Sequence, residues 1–431
     1  MRSFSWVNKM ATDVDVQYFS HLNGLTLGNN WGDLIRSLDK ALVTGIDFTQ
    51  ITAASIDAQG DVHITLYTAH NAMLFQVVEL SDFVPASLNQ KYRIKGVPGA
   101  TQLILKPKKD IVEGSITTIG TGKLASLGYE IIFRDEGDVK RVYRAKDPTL
   151  QHPFIRVDES LSDGVNSYSS TYAKYAMVGL LEHMEHIDDY ENPSVQQVPF
   201  EPSNPSKNWK ITGTGASVVR GWSRWYWATS QQVNEPQVDS SSIYAFNRQF
   251  TICGDKNSFY FLKNSYHYPG YAGNRKSLCG CGLFNQSTSS DNQWFLMTFL
   301  TTKAANQSVY QYQVEGGAPL VFDADASKFF ATRDAPGVNG HIAGSPILPN
   351  FFSGSSGIYS GSSIGLLEIP FFDTDKKLRG TLQHITYSGK NHSAIDTAPL
   401  ISDNSMYVMD SILVNSSSGI GSIFFYLGEL D

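Results

Sequence analysis

The run Asp57-Ala58-Gln59-Gly60-Asp61, followed by Val62-His63-Ile64-Thr65-Leu66-Tyr67, decides the fold. Val62, Ile64 and Leu66 alternate with His63, Thr65 and Tyr67, so an extended chain here has one apolar and one polar side. The five residues before it combine Asp, Gln and Gly in the manner of a hairpin turn. A half-buried strand entered through a tight turn predicts antiparallel pairing.

The same signature recurs further along the chain. Short strands are predicted at 92–94, 103–105, 131–133 and 154–157, with Gly and Pro between them. That spacing predicts small antiparallel barrels or sandwiches. One helix precedes them: Trp31, Leu34, Ile35, Leu38, Ala41 and Leu42 share a face at 3.6-residue spacing. Asn29 or Asn30 is placed to cap its start, and Gly45 stands where a left-handed residue ends a helix. The helix is expected to lie as a lid on the following sheet.

Pro193, Pro199, Pro202 and Pro205 interrupt residues 192–208. Proline lacks the N–H that a central strand or helix interior needs, so this stretch is read as a linker. Beyond it, aromatic-rich strands are expected at 222–227, 259–262, 294–300, 407–414 and 423–427, and the Gly/Ser stretch 353–365 as a long loop. The predicted class is mainly β: small antiparallel barrel or sandwich units with one N-terminal amphipathic helix, and a larger sandwich-like C-terminal unit. The expected division is an irregular arm over 1–20, helix plus small barrel over 21–110, a second β unit over 111–191, the linker, and an aromatic-rich unit over 209–431.

Composition narrows the function. Only 17% of the 431 residues are charged, below the roughly 25% usual for globular chains, while aromatics reach 12%. The net charge of −7 and the absence of any Lys/Arg run beyond pairs give no electrostatic footprint for nucleic acid. No apolar run approaches the ~20 residues that span a bilayer, and the opening MRSFSWVNKM has no signal-type apolar stretch. A protein that is soluble when made and assembled in cytosol is expected. Three cysteines (Cys253, Cys279 and Cys281) are too few and odd in number for a disulfide framework, which predicts reduced thiols.

Candidate chemistry is sparse. Glu182-His183-Met184-Glu185-His186 with Asp188-Asp189 is the densest group of ligand-type residues, but its histidines stand three apart, whereas a zincin helix needs four. It is read as an exposed polar stretch. Cys279-Gly280-Cys281 with Cys253 supplies three thiolates and no fourth, so a small-residue turn holding buried thiols is preferred over a metal site. Asp323-Ala324-Asp325-Ala326-Ser327 lacks the Gly and closing Glu of a calcium loop and is read as a turn. No Gly-rich phosphate loop ahead of a helix is present. A glycan hydrolase would need a carboxylate pair, and no pair stands out. No catalytic residue, metal or cofactor is expected. The aromatic group Trp222, Trp225, Tyr226 and Trp227 is the one candidate binding element; it suits a core strand, a protein interface or a sugar-stacking platform.

Several segments, in order, resemble a family of tailed-bacteriophage virion proteins. Leu34-Ile35-Arg36-Ser37-Leu38-Asp39-Lys40-Ala41-Leu42-Val43 with Gly45 is similar to its opening helix. Ala69-His70 and Pro85-Ala86-Ser87-Leu88-Asn89-Gln90-Lys91-Tyr92 are similar to its small β-barrel module, with Asn71 and Gln90 where the family carries glycines. Val142-Tyr143-Arg144-Ala145-Lys146-Asp147-Pro148, Phe154-Ile155-Arg156-Val157-Asp158-Glu159 and Leu378-Arg379-Gly380-Thr381-Leu382 continue the likeness. The resemblance implies a non-enzymatic structural component of the virion, tail-associated in a baseplate, collar or fibre attachment. It also implies several symmetric copies contacting other virion proteins, with a host surface glycan or receptor as the alternative partner.

Overall fold

The computed structural model describes residues 14–160, 173–189, 192, 194–200, 209, 211–212, 219–220, 223–230, 237–238, 242–264, 276–286, 293–298, 309–310, 329–334, 339–348, 366–388, 395–402, 404–413 and 420–429. Strand accounts for 52% and helix for 6%, which makes the chain mainly β, as its alternation predicts.

The predicted hairpin is present. Ile51–Ile56 pairs with Val62–Leu66, Asp57 Oδ1 accepts the N–H groups of Gln59 and Asp61 at 2.9 Å, and Gly60 takes a φ of 81°. This hairpin forms one margin of a seven-stranded antiparallel sheet. Gln102–Pro107, Lys91–Gly99, Val77–Ser81, Thr121–Leu124 and Ile46–Asp47 follow in spatial order. Among the described residues its path ends on Ile51–Ile56 at one side and Ile46–Asp47 at the other.

The helix forms over Asp33–Leu38 and continues as a π-helical turn over Asp39–Thr44. Leu34, Ile35, Leu38, Ala41 and Leu42 are all buried, as their spacing requires. The expected cap is corrected. The residue before the helix is Gly32, at φ 86°, and no side chain of Asn29 or Asn30 caps it. Glu159 does so from another sheet, its carboxylate accepting the Gly32 N–H and, at 2.8 Å, the Ile35 N–H. Asp39 also reaches that sheet, taking the Tyr143 hydroxyl at 2.7 Å and Arg141 at 3.2 Å. The helix is therefore clamped between two sheets.

The second sheet runs Tyr129–Arg134, Lys140–Ala145, Phe154–Asp158, Lys174–Leu181, Gln197–Val198, with Arg224–Ala228 also paired to Lys174–Leu181. Two expectations change here. Gln197–Val198 falls inside the supposed linker yet is buried and paired, because the residues between Pro193 and Pro199 keep their N–H groups. Arg224–Ala228, assigned to the C-terminal unit, belongs to this sheet.

The third sheet has thirteen strands and opens on Gln17–Ser20, which pairs with Phe250–Gly254. Those four residues, expected within an irregular arm, form a fully buried strand. Its strands explain the aromatic content. In Ser258–Lys263, Phe259 and Phe261 enter a core shared with the helix and the other two sheets. Tyr260 and Leu262 enter a second core closed by Val408, Ile423 and Phe425. Side chains alternate across a strand, so a sheet covered on both faces reads as an unbroken apolar run. Ile420–Glu429 thus packs back over Ser258–Lys263, with the Tyr260 and Phe425 ring centres 6.2 Å apart. This is the sandwich-like arrangement expected of the C-terminal half.

Candidate functional site

Two features stand out: a polar network under the large sheet, and the open sheet margins. Lys276 enters just before Ser277–Leu283, Thr251 projects from Phe250–Gly254, and Asp410 from Ser405–Leu413. Asp396 and Thr397 precede Ala398–Ser402, and His21 opens the turn after Gln17–Ser20.

Lys276 Nζ donates to Asp410 Oδ1 and, at 3.1 Å, to Asp396 Oδ1. Asp410 Oδ2 accepts the Thr251 hydroxyl at 2.9 Å, and the Thr251 and Thr397 hydroxyls lie 2.7 Å apart. Asp396 Oδ2 accepts His21 Nε2 and Gln249 Nε2, both at 2.9 Å. Burial pushes the Asp410 carboxyl up against the pull of Lys276. Burial acts upward on Asp396 too, but the His21 hydrogen bond and the Lys276 charge hold it below the usual carboxylate range. Every oxygen of the two carboxylates has a donor. An acid–base catalyst needs a carboxylate oxygen within reach of a substrate proton; here the oxygens are committed to holding strands together. Nothing in the sequence marks this network, whose Lys276 stands 120 and 134 residues from its two carboxylates.

The residues singled out by sequence fall elsewhere. Trp225, Tyr226 and Trp227 are completely buried, with the Trp225 indole N–H donating to the Met297 carbonyl at 2.8 Å. Of the three readings left open, the core one describes them: an indole enclosed on both faces offers no platform to a sugar or partner. Trp222 lies outside the described residues, as do 323–327 and 353–365.

His183 is exposed in the turns after Lys174–Leu181, 3.5 Å from Glu185. Its neighbour Asp188 is drawn away to Arg156 at 2.5 Å and Lys140 at 3.0 Å. Among the described residues no group of three or more His, Cys, Asp or Glu could hold a metal ion, and no helix is long and apolar enough to cross a membrane.

Cys253, Cys279 and Cys281 are free and buried. The segment around the last two is a strand, Ser277–Leu283, and not the expected turn. Its glycines permit close backbone approach: a Cβ on Gly280 would stand 2.7 Å from the Phe259 carbonyl oxygen.

Among the described residues, the strands that end a sheet include Ile51–Ile56, Tyr129–Arg134 and Ala398–Ser402. They differ in how they discourage further pairing. Tyr129–Arg134 carries Glu130 and Arg134, and Ala398–Ser402 carries Pro399, both common defences of an edge. Ile51–Ile56 reads Ile-Thr-Ala-Ala-Ser-Ile, with no charge and no proline, and Thr52, Ala53 and Ser55 are exposed.

Comparison with protein-family models and with curated proteins finds no match.

Proposed function

We propose that this chain is a non-enzymatic structural component of a bacteriophage virion, tail-associated, that works by pairing with neighbouring subunits. The observation that carries the reading is the uncharged, proline-free margin Ile51–Ile56. An open strand presents a row of unpaired N–H and C=O groups, and a monomer ordinarily blunts such an edge. Left plain, it is suited to strand addition from another chain, where main-chain hydrogen bonds provide affinity and small side chains allow close approach. The ordered tail-family resemblances of residues 34–45, 69–92, 142–159 and 378–382 supply the virion context. The saturated carboxylates around Lys276 agree with a protein that binds and does not catalyse.

The test joins two measurements: the mass of the purified protein in solution, and its presence in purified phage particles. A defined oligomer, or copurification with particles, is expected. Ala53→Lys, which places a charge on the open margin, should weaken that assembly at least tenfold while leaving the folded chain intact. A strict monomer absent from particles, or an assembly indifferent to Ala53→Lys, overturns the reading.

A further inference from the structure

Lys263 and Cys279 form the most unusual pair in the interior. Register places them together: Lys263 is opposite Ser277 and Phe261 opposite Cys279, so Lys263 and Cys279 are diagonal neighbours on one face. The Lys263 Nζ lies 3.2 Å from the Cys279 Sγ and 3.2 Å from the Ser277 hydroxyl. Both residues are completely buried. Burial drives the lysine towards its neutral amine and the cysteine towards its neutral thiol, the mutual attraction of their charged forms notwithstanding. An amine lone pair and a thiol held in contact, away from water, are the reactants of an oxidative coupling.

We propose that Lys263 and Cys279 are a covalent modification site at which dioxygen joins the two side chains through an N–O–S bridge. The Sγ–H bond and one Nζ–H bond break. One oxygen atom of dioxygen links nitrogen to sulfur, and the other leaves as water with the two hydrogens. Nitrogen and sulfur are oxidised and dioxygen is reduced. The small apolar oxidant needs no open channel, and the product replaces a polar contact between neighbouring strands with a bond. The other thiols are placed differently. Cys281 pairs with Phe259, one step further along the strand from Lys263, and Cys253 faces the second core. A thiol-based reductant reverses the bridge, as it does the other low rungs of cysteine oxidation.

The test uses the full-length protein, divided between air-saturated buffer and anaerobic buffer with dithiothreitol, then denatured for intact mass and thiol counting. Air exposure should add about 14 Da, one oxygen gained and two hydrogens lost. It should also leave two alkylatable thiols where the reduced chain has three. Dithiothreitol should restore both values, and a digest without reductant should yield the peptides of residues 263 and 279 joined. Lys263→Met, which keeps the stem and removes the nitrogen, should show no gain, whereas Cys281→Ser should still show it. An unchanged mass with three thiols, a disulfide's loss of two hydrogens, or oxygen added to Cys279 with Lys263 unmodified would each overturn the proposal. Should Lys263→Met not fold, the wild-type digest decides alone.

Discussion

Glu159 shows how one side chain can join two sheets. It is fully buried, and its two oxygens take backbone N–H groups at the start of the helix Asp33–Leu38. Burial pushes its carboxyl up to about 8, outweighing the two amide donors that pull it down. A carboxyl raised in the folded state contributes stability that is complete below its ordinary value of 4.5 and lost as the pH climbs through about 8. Unfolding free energy should therefore fall across that window. Glu159→Gln, which does not titrate, should flatten the decline in denaturant titrations at several pH values; an unchanged slope would place the pH dependence on other groups. Gly179 offers a second test. Trp209 lies across it so closely that a Cβ there would meet the ring at 2.3 Å. Gly179→Ala must displace a buried indole that also faces the Arg156 guanidinium. Overpacking of this kind costs about 1–3 kcal/mol, and the emission of Trp209 should shift to longer wavelength in the same variant. A stability equal to wild type would mean the indole has room to move.

Among the elements, the sequence reveals strands with one wet face by alternation, and buried ones such as Ser258–Lys263 and Trp294–Met297 by their aromatic runs. Val62–Leu66 and Gln102–Pro107 alternate visibly because one side meets solvent. Lys174–Leu181 and Ser277–Leu283 are buried on both sides, so their residues show no period, and the small residues of the second suggest a turn in place of a strand. Proline misled in a different way, marking 192–208 as a linker although the N–H groups between the prolines remain free to pair. Gln17–Ser20 was hidden because its partners are side-chain specific. The Gln17 amide donates to the carbonyls of Val77 and Ala125, both at 2.8 Å, and its oxygen accepts the Val77 N–H at 3.0 Å. One polar residue thus ties the large sheet to the seven-stranded one. Gln17→Ala would take their partner from the Val77 N–H and the Ala125 carbonyl, the Val77 carbonyl keeping the Ala125 N–H at 2.8 Å, at a cost of about 2–4 kcal/mol in total. Removing residues 1–20 altogether should bare the edge of Phe250–Gly254 and produce aggregation that light scattering detects. A truncated chain that stays soluble and equally stable would show this strand to be dispensable.

At the scale of the molecule, one core runs through the helix and the three large sheets, and a second lies beneath the strands that fold back over the thirteen-stranded sheet. The candidate site sits where the turn at His21 meets the strands around Asp396 and Asp410, and the sequence does not reveal it: Lys276 reaches Asp396 and Asp410 across 120 and 134 residues, without a motif to announce either. Such a network stabilises only while complete. Lys276→Met leaves the enclosed Asp410 carboxylate without its cation, and breaking a buried pair this way costs about 3–5 kcal/mol. Adding Asp410→Asn removes the orphaned charge, so the double variant should recover part of that loss, despite carrying one more substitution. Recovery would show that the pair matters through mutual compensation. Because Ser258–Lys263 lines both cores, both variants should unfold in one transition, with tryptophan emission and far-ultraviolet dichroism moving together. Additive losses would mean the two residues act independently, and a transition that splits between the probes would mean the C-terminal strands can detach while the helix and its sheets stay folded.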